Sequence, residues 1–86
     1  MILTGECLEA FKFWVLNKGF EKFNAKEYSL DIAKAMTYAV IIEFFDSVGI
    51  EECNIRNILI YFLKFYKVSE ATEKAIEKAN EIFNNQ

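Results

Sequence analysis

At 86 residues the chain has the length of one domain, and a domain this short buries only a modest fraction of its surface on folding. Apolar residues make up 53% and aromatics 16%, with nine Phe, four Tyr and Trp14; one small core does not easily hide so much, so the surplus either lies on a face that meets a partner or a second copy or packs into a tight aromatic core. Ten basic against thirteen acidic residues leave a net charge of −3, which argues against duplex nucleic acid bound by counterion release and suits a protein partner.

The first predicted helix covers residues 5–17. Thr4 stands as its N-cap, Glu6 lies in the first turn, and Gly19 follows Lys18 as a stop. Cys7, Leu8, Phe11, Trp14 and Val15 recur at helical spacing and form its core face, while Phe13 and Leu16 fall off that face. Residues 20–28 read as a connector pinned to the core by Phe20 and Phe23. The second helix is predicted over 30–48, with Ser29 as N-cap. It is apolar around most of its circumference, the mark of a central helix. Gly49 suits the left-handed position that closes it.

Residues 54–67 carry Ile55, Ile58, Leu59, Phe62, Leu63 and Tyr66 at i, i+3, i+4, i+7, i+8 and i+11, which predicts a third helix. The same run is rich in Ile, Tyr and Phe, which also favour strands. The last helix is predicted over 70–83. Ser69 caps it, Ala71, Ala75, Ala79, Ile82 and Phe83 make a thin apolar stripe, Glu70 and Lys74 pair at i, i+4, and the closing Asn84-Asn85-Gln86 frays. The expected fold is all-α, a compact single-domain bundle of about four helices over residues 1–86. The alternative is α+β, with residues 51–68 as a β-hairpin.

Histidine is absent, which removes the commonest general base, the Ser-His-Asp and Cys-His arrangements, and most transition-metal sites. Two cysteines 46 positions apart form no zinc motif, and no glycine-rich phosphate loop is present. Glu51 and Glu52 could attract a hard cation, but their spacing does not match a calcium loop, and they sit where first-turn acids stabilise a helix. No enzyme activity, cofactor or metal is expected. The apolar stretches at 36–42 and 58–63 are far shorter than the roughly 20 residues that span a bilayer. Met1-Ile2-Leu3 runs at once into Thr4, Gly5 and Glu6, unlike a secretory leader. A cytoplasmic protein with Cys7 and Cys53 reduced is expected, Cys7 as a core residue.

One stretch stands out by charge. Residues 56–67 hold Arg56, Lys64 and Lys67 and no acid. On a continuous helix, Arg56, Ile60, Lys64 and Lys67 would form a row beside Asn57, Tyr61 and Phe65. Basic groups among aromatics suit an acidic protein surface or single-stranded RNA; the plain alternative is a solvated face whose Tyr and Phe are partly covered by the connector. With the off-face aromatics Phe13 and Phe20, the candidate partner contacts are Arg56, Tyr61, Lys64, Lys67, Phe13 and Phe20, since large aromatics and Arg dominate binding hot spots.

Phe44-Phe45-Asp46-Ser47-Val48-Gly49-Ile50, following Met36-Thr37-Tyr38-Ala39-Val40, resembles a segment of small uncharacterised proteins of Bacteroidetes phages and prophages. Ala75-Ile76-Glu77-Lys78-Ala79-Asn80-Glu81-Ile82-Phe83-Asn84 resembles the C-terminal helix of the same group. Together these segments cover about a third of the chain. The resemblance implies a mobile-element protein in a bacterial cytoplasm, with strands over residues 51–68. Small acidic phage proteins often bind a host protein, and inhibitors of defence nucleases, anti-CRISPR proteins among them, are a prominent class. The expected function is therefore a non-enzymatic inhibitor of a host defence protein, such as a CRISPR effector or its RNA complex, acting by surface occlusion. The alternatives are a self-associating module, such as a homodimer, and a single-stranded RNA binder.

Overall fold

Among the described residues the apolar spacing is realised as four helices: α1 (Gly5–Lys18), α2 (Leu30–Val48), α3 (Ile55–Phe62) and α4 (Val68–Asn84), with a short 3-10 turn at Glu51–Cys53. The structure, a computed structural model, describes residues 2–18 and 30–86, and of residues 18 and 30–35 the backbone alone. The connector with Phe20 and Phe23, Gly19 and the Ser29 cap lie outside the described residues. The chain is an all-α bundle, and no strand occurs among the described residues. The hairpin alternative for 51–68 therefore gives way to helix. The i, i+3, i+4 recurrence of Ile55, Ile58, Leu59 and Phe62 lays all four against the core, and Asn54 starts the helix by accepting the Asn57 N–H at 3.3 Å.

The predicted third helix is shorter than its pattern. It ends at Phe62, and the chain reverses through residues 63–67 with i→i−3 bonds from Lys64 N–H to Tyr61 C=O and from Phe65 N–H to Phe62 C=O. Aromatic residues are mediocre helix formers, so four of them close together cede the helix readily. Their rings support the reversal instead: Tyr61 lies edge-on to Phe62 at 5.4 Å and to Phe65 at 5.6 Å, and Phe62 faces Tyr66 at 6.2 Å. Leu63 and Tyr66, expected in the core, are exposed as a result.

Helix α4 begins at Val68, two residues before the predicted start. Lys67 holds the N-cap position without a side-chain bond, so Ser69 is not the cap. The expected Glu70–Lys74 pair is also replaced, since the Lys74 ammonium sits 4.9 Å from the centre of the Tyr66 ring. Glu51 and Glu52 lie in the 3-10 turn, outside the first turn of α3, whose start Asn54 caps. Gly49 does close α2 as expected, at φ 76°.

Among the described residues α2, expected to be central, packs against α1, α3 and α4, and α4 packs against α1, α2, α3 and the 3-10 turn. The stripe of α4 explains its contacts. Ala71, Ala75 and Ala79 are all buried, and their small side chains let neighbouring helices approach closely, while Ile76 fills the space between them. Leu3, Cys7 and Phe11 from α1 and its approach, Ile41, Phe44 and Phe45 from α2, and Cys53 and Ile55 complete one core cluster with Ala75, Ile76 and Ala79. Phe44 is its aromatic centre, with the rings of Phe45 at 5.2 Å, Phe11 at 5.5 Å, Trp14 at 5.7 Å and Phe83 at 6.1 Å. Phe13 and Leu16 remain outside it.

The start of α1 is built from the far end of the chain. Gly5 takes φ 60°, a left-handed conformation. Thr4 holds the N-cap position, its carbonyl accepting the Leu8 N–H at 3.1 Å, while its hydroxyl accepts the Asn80 side-chain amide at 3.0 Å. Asn84 supplies the side-chain cap: its Oδ1 accepts the Cys7 N–H at 2.9 Å, and its Nδ2 donates to the Thr4 carbonyl at 3.0 Å. Asn80 Oδ1 receives the Thr4 N–H at 2.9 Å. The residue expected to fray thus anchors the first turn.

Candidate partner-binding surface

The reversal between α3 and α4 turns apolar side chains outward. Ile60, Tyr61, Leu63, Phe65, Tyr66 and Val68 are all exposed, Phe65 to 67% and Val68 to 70%. Local chemistry explains this: α3 commits one face to the core, the turn of residues 63–66 leaves Leu63, Phe65 and Tyr66 exposed, and the ring contacts set the aromatics on one another. Lys64 and Lys67 stand in the same segment, also exposed, and no ion pair holds either among the described residues. Residues 56–68 contain no acid. Lys74 adds a third cation beside Tyr66.

The six expected contact residues divide accordingly. Tyr61, Lys64 and Lys67 share this surface, but not as a helical row, because Lys64 lies in the turn and Lys67 begins α4. Arg56 is engaged elsewhere: its guanidinium meets the Asp46 carboxylate at 2.7 Å and ties the start of α3 to the end of α2. A cleft of about 270 Å3 lies beside this pair, lined by Phe45, Asp46, Gly49, Ile50, Glu51, Asn54 and Arg56. It falls short of the usual size of a small-molecule pocket, about 300–1,000 Å3. Phe13 is 71% exposed on the outer side of α1. Phe20 lies outside the described residues. Phe65 stood beside the basic row in the sequence without being counted among the contacts, and Val68 and Lys74 went unrecognised. The apolar run Phe65-Tyr66-Lys67-Val68 carried a signal for Val68, but the lysine's approach to Tyr66 depends on where α3 stops.

Other reactive groups are buried or dispersed. Burial, and the neighbouring Cys53 second, push the Cys7 thiol up to about 11, and burial likewise raises Cys53, whose Sγ donates to the Ala79 carbonyl at 3.5 Å. Thiols held protonated at neutral pH are poor nucleophiles and poor metal ligands. Desolvation raises the Tyr38 phenol, with added contributions from Glu73 and Glu77 of α4. Among the described residues no three His, Cys, Asp or Glu side chains come together to hold a metal ion, and no helix is long and apolar enough to cross a membrane. Comparison with protein-family models, with curated proteins and with solved structures finds no significant match.

Proposed function

We propose that this protein is a non-enzymatic binding module that docks another protein on the surface formed by Ile60, Tyr61, Phe65 and Val68, with Lys64, Lys67 and Lys74 around it. The observation that carries the reading is the coincidence of exposed large side chains with Lys64 and Lys67, which no ion pair holds among the described residues, and with Lys74 over the Tyr66 ring, in an otherwise acidic chain. Monomers scatter exposed apolar residues singly, whereas a contiguous group rimmed by charge marks an interaction site. The cations select an acidic rim on the partner, and the aromatics supply the buried anchors. Ile60, Leu63 and Val68 lie among the aromatics and have no planar face to stack on bases, so a protein fits this surface better than RNA.

In its narrower form the proposal is a phage- or prophage-encoded inhibitor, in the bacterial cytoplasm, that covers the working surface of a host defence protein such as a CRISPR effector. Its support is the resemblance of the two segments at 36–50 and 75–84 to phage proteins. Affinity capture from a host lysate tests the general reading. A partner held by the wild type and lost with Tyr61→Ala combined with Lys64→Glu supports it, and equal capture by both proteins refutes it.

A further inference from the structure

The partner surface proposed above is apolar with an acidic edge, and the chain carries such a surface itself. On α1, Glu6, Glu9, Phe13 and Leu16 are spaced i, i+3, i+7 and i+10, so they follow one side of the helix. All four are exposed, Phe13 to 71% and Leu16 to 65%. This side lies opposite the one that sends Cys7 and Phe11 into the core. Lys12 stands at its margin, 3.6 Å from Glu9, in a solvent-exposed pair that contributes little and exchanges easily. The first two turns of the face are acidic and the last two apolar.

The geometry points to a second copy as an occupant of the basic apolar surface: the Glu6/Glu9/Phe13/Leu16 face of one molecule docks on the Tyr61/Lys64/Phe65/Lys67/Val68 surface of another. The argument rests on complementarity in two properties. Each face exposes large apolar side chains that solvent disfavours, and the charges beside them are opposite in sign. Two copies of the basic surface placed against each other would instead bring Lys64 and Lys67 against their own kind. The two faces differ, so the contact is heterologous: it closes into a dimer or ring when the rotation allows, and otherwise extends into a chain. The contact requires no foreign partner. Where one is present, it competes with the second copy for the same residues, which would make binding dependent on the concentration of the protein itself.

Sedimentation velocity on the purified protein, from about 1 μM to about 1 mM, tests this without any partner present. The wild type is expected to gain mass with concentration and to lose it with added salt. Phe13→Ser, on an exposed position that leaves the core intact, is expected to remain monomeric. The decisive experiment is a charge swap. Glu6→Lys with Glu9→Lys gives a protein basic on both faces, and Lys64→Glu with Lys67→Glu gives one acidic on both. Each is expected to be monomeric alone, and their mixture to associate. A wild type that stays monomeric throughout, association that survives Phe13→Ser, or a mixture of folded charge variants that does not associate overturns the inference. None of these results bears on capture of a foreign protein.

Discussion

Asn84 Oδ1 accepts the backbone N–H of Cys7 at 2.9 Å, so the last residue of α4 caps the first turn of α1 across 77 positions of sequence. The contact joins the chain's two ends and makes the fold depend on a residue that composition alone would assign to a loose tail. Asn84→Ala is expected to lower stability by about 1–2 kcal/mol, the usual worth of an N-cap. Denaturant melts check this. A change within error would show that solvent replaces the cap without loss.

The two left-handed glycines provide a graded comparison. At Gly49, with φ 76°, an added methyl meets nothing within 4 Å, so Gly49→Ala is expected to cost only the backbone strain, about 1–2 kcal/mol. At Gly5, with φ 60°, the methyl would also come 3.1 Å from Asn84 Oδ1. Gly5→Ala should therefore cost more than Gly49→Ala, and the difference should shrink when Asn84 is already Ala. Melts of the three single variants and of the two double variants that carry Asn84→Ala measure that coupling.

Alkaline pH should loosen the core. An unfolded thiol releases its proton near the ordinary value of 9.0, whereas folded Cys7 keeps its own to about 11. Between these values the unfolded chain binds fewer protons, so stability is full below about 9 and falls as the pH rises toward 11. The raised Cys53 thiol and Tyr38 phenol act in the same direction. Melts between pH 7 and 11 should show the decline, and Cys7→Ala should flatten its slope. An unchanged slope would mean that Cys7 does not set it.

Much of the fold was legible in the sequence, for reasons visible at particular residues. The spacing of Cys7, Phe11 and Trp14 identified α1 and its inner face because apolar periodicity reports burial directly. Gly49 marked a helix end because the left-handed conformation there disfavours a side chain. The stop at Phe62 was not legible, since Leu63 and Tyr66 continue the apolar period of α3, and the reversal draws on the ring contacts and on packing against α4. The roles of Asn80 and Asn84 were equally hidden, because each depends on a partner more than 70 residues away. For the candidate surface, the charge of Lys64 and Lys67 could be read directly. The separation of Arg56 from them could not, because it follows from the nearness of Asp46.

That separation has a measurable consequence. Arg56→Ala removes an exposed ion pair and is expected to cost roughly 0.2–1 kcal/mol, diminishing at high salt. Partner capture should remain as in the wild type, because the guanidinium faces Asp46 and not the lysines. Lys64→Glu with Lys67→Glu should show the converse, near-native stability and lost capture. Loss of capture on Arg56→Ala alone would return Arg56 to the binding surface.

The most direct test of the central claim is affinity capture from a lysate of a related host, with and without RNase, by the tagged wild type and by the Tyr61→Ala/Lys64→Glu variant, read by mass spectrometry. The account predicts that the wild type enriches a host protein, that RNase leaves it in place, and that the folded variant loses it. Capture that RNase abolishes would move the surface to RNA. Equal capture by the two proteins, or none by either, would contradict the assignment of this surface to a protein partner in that host.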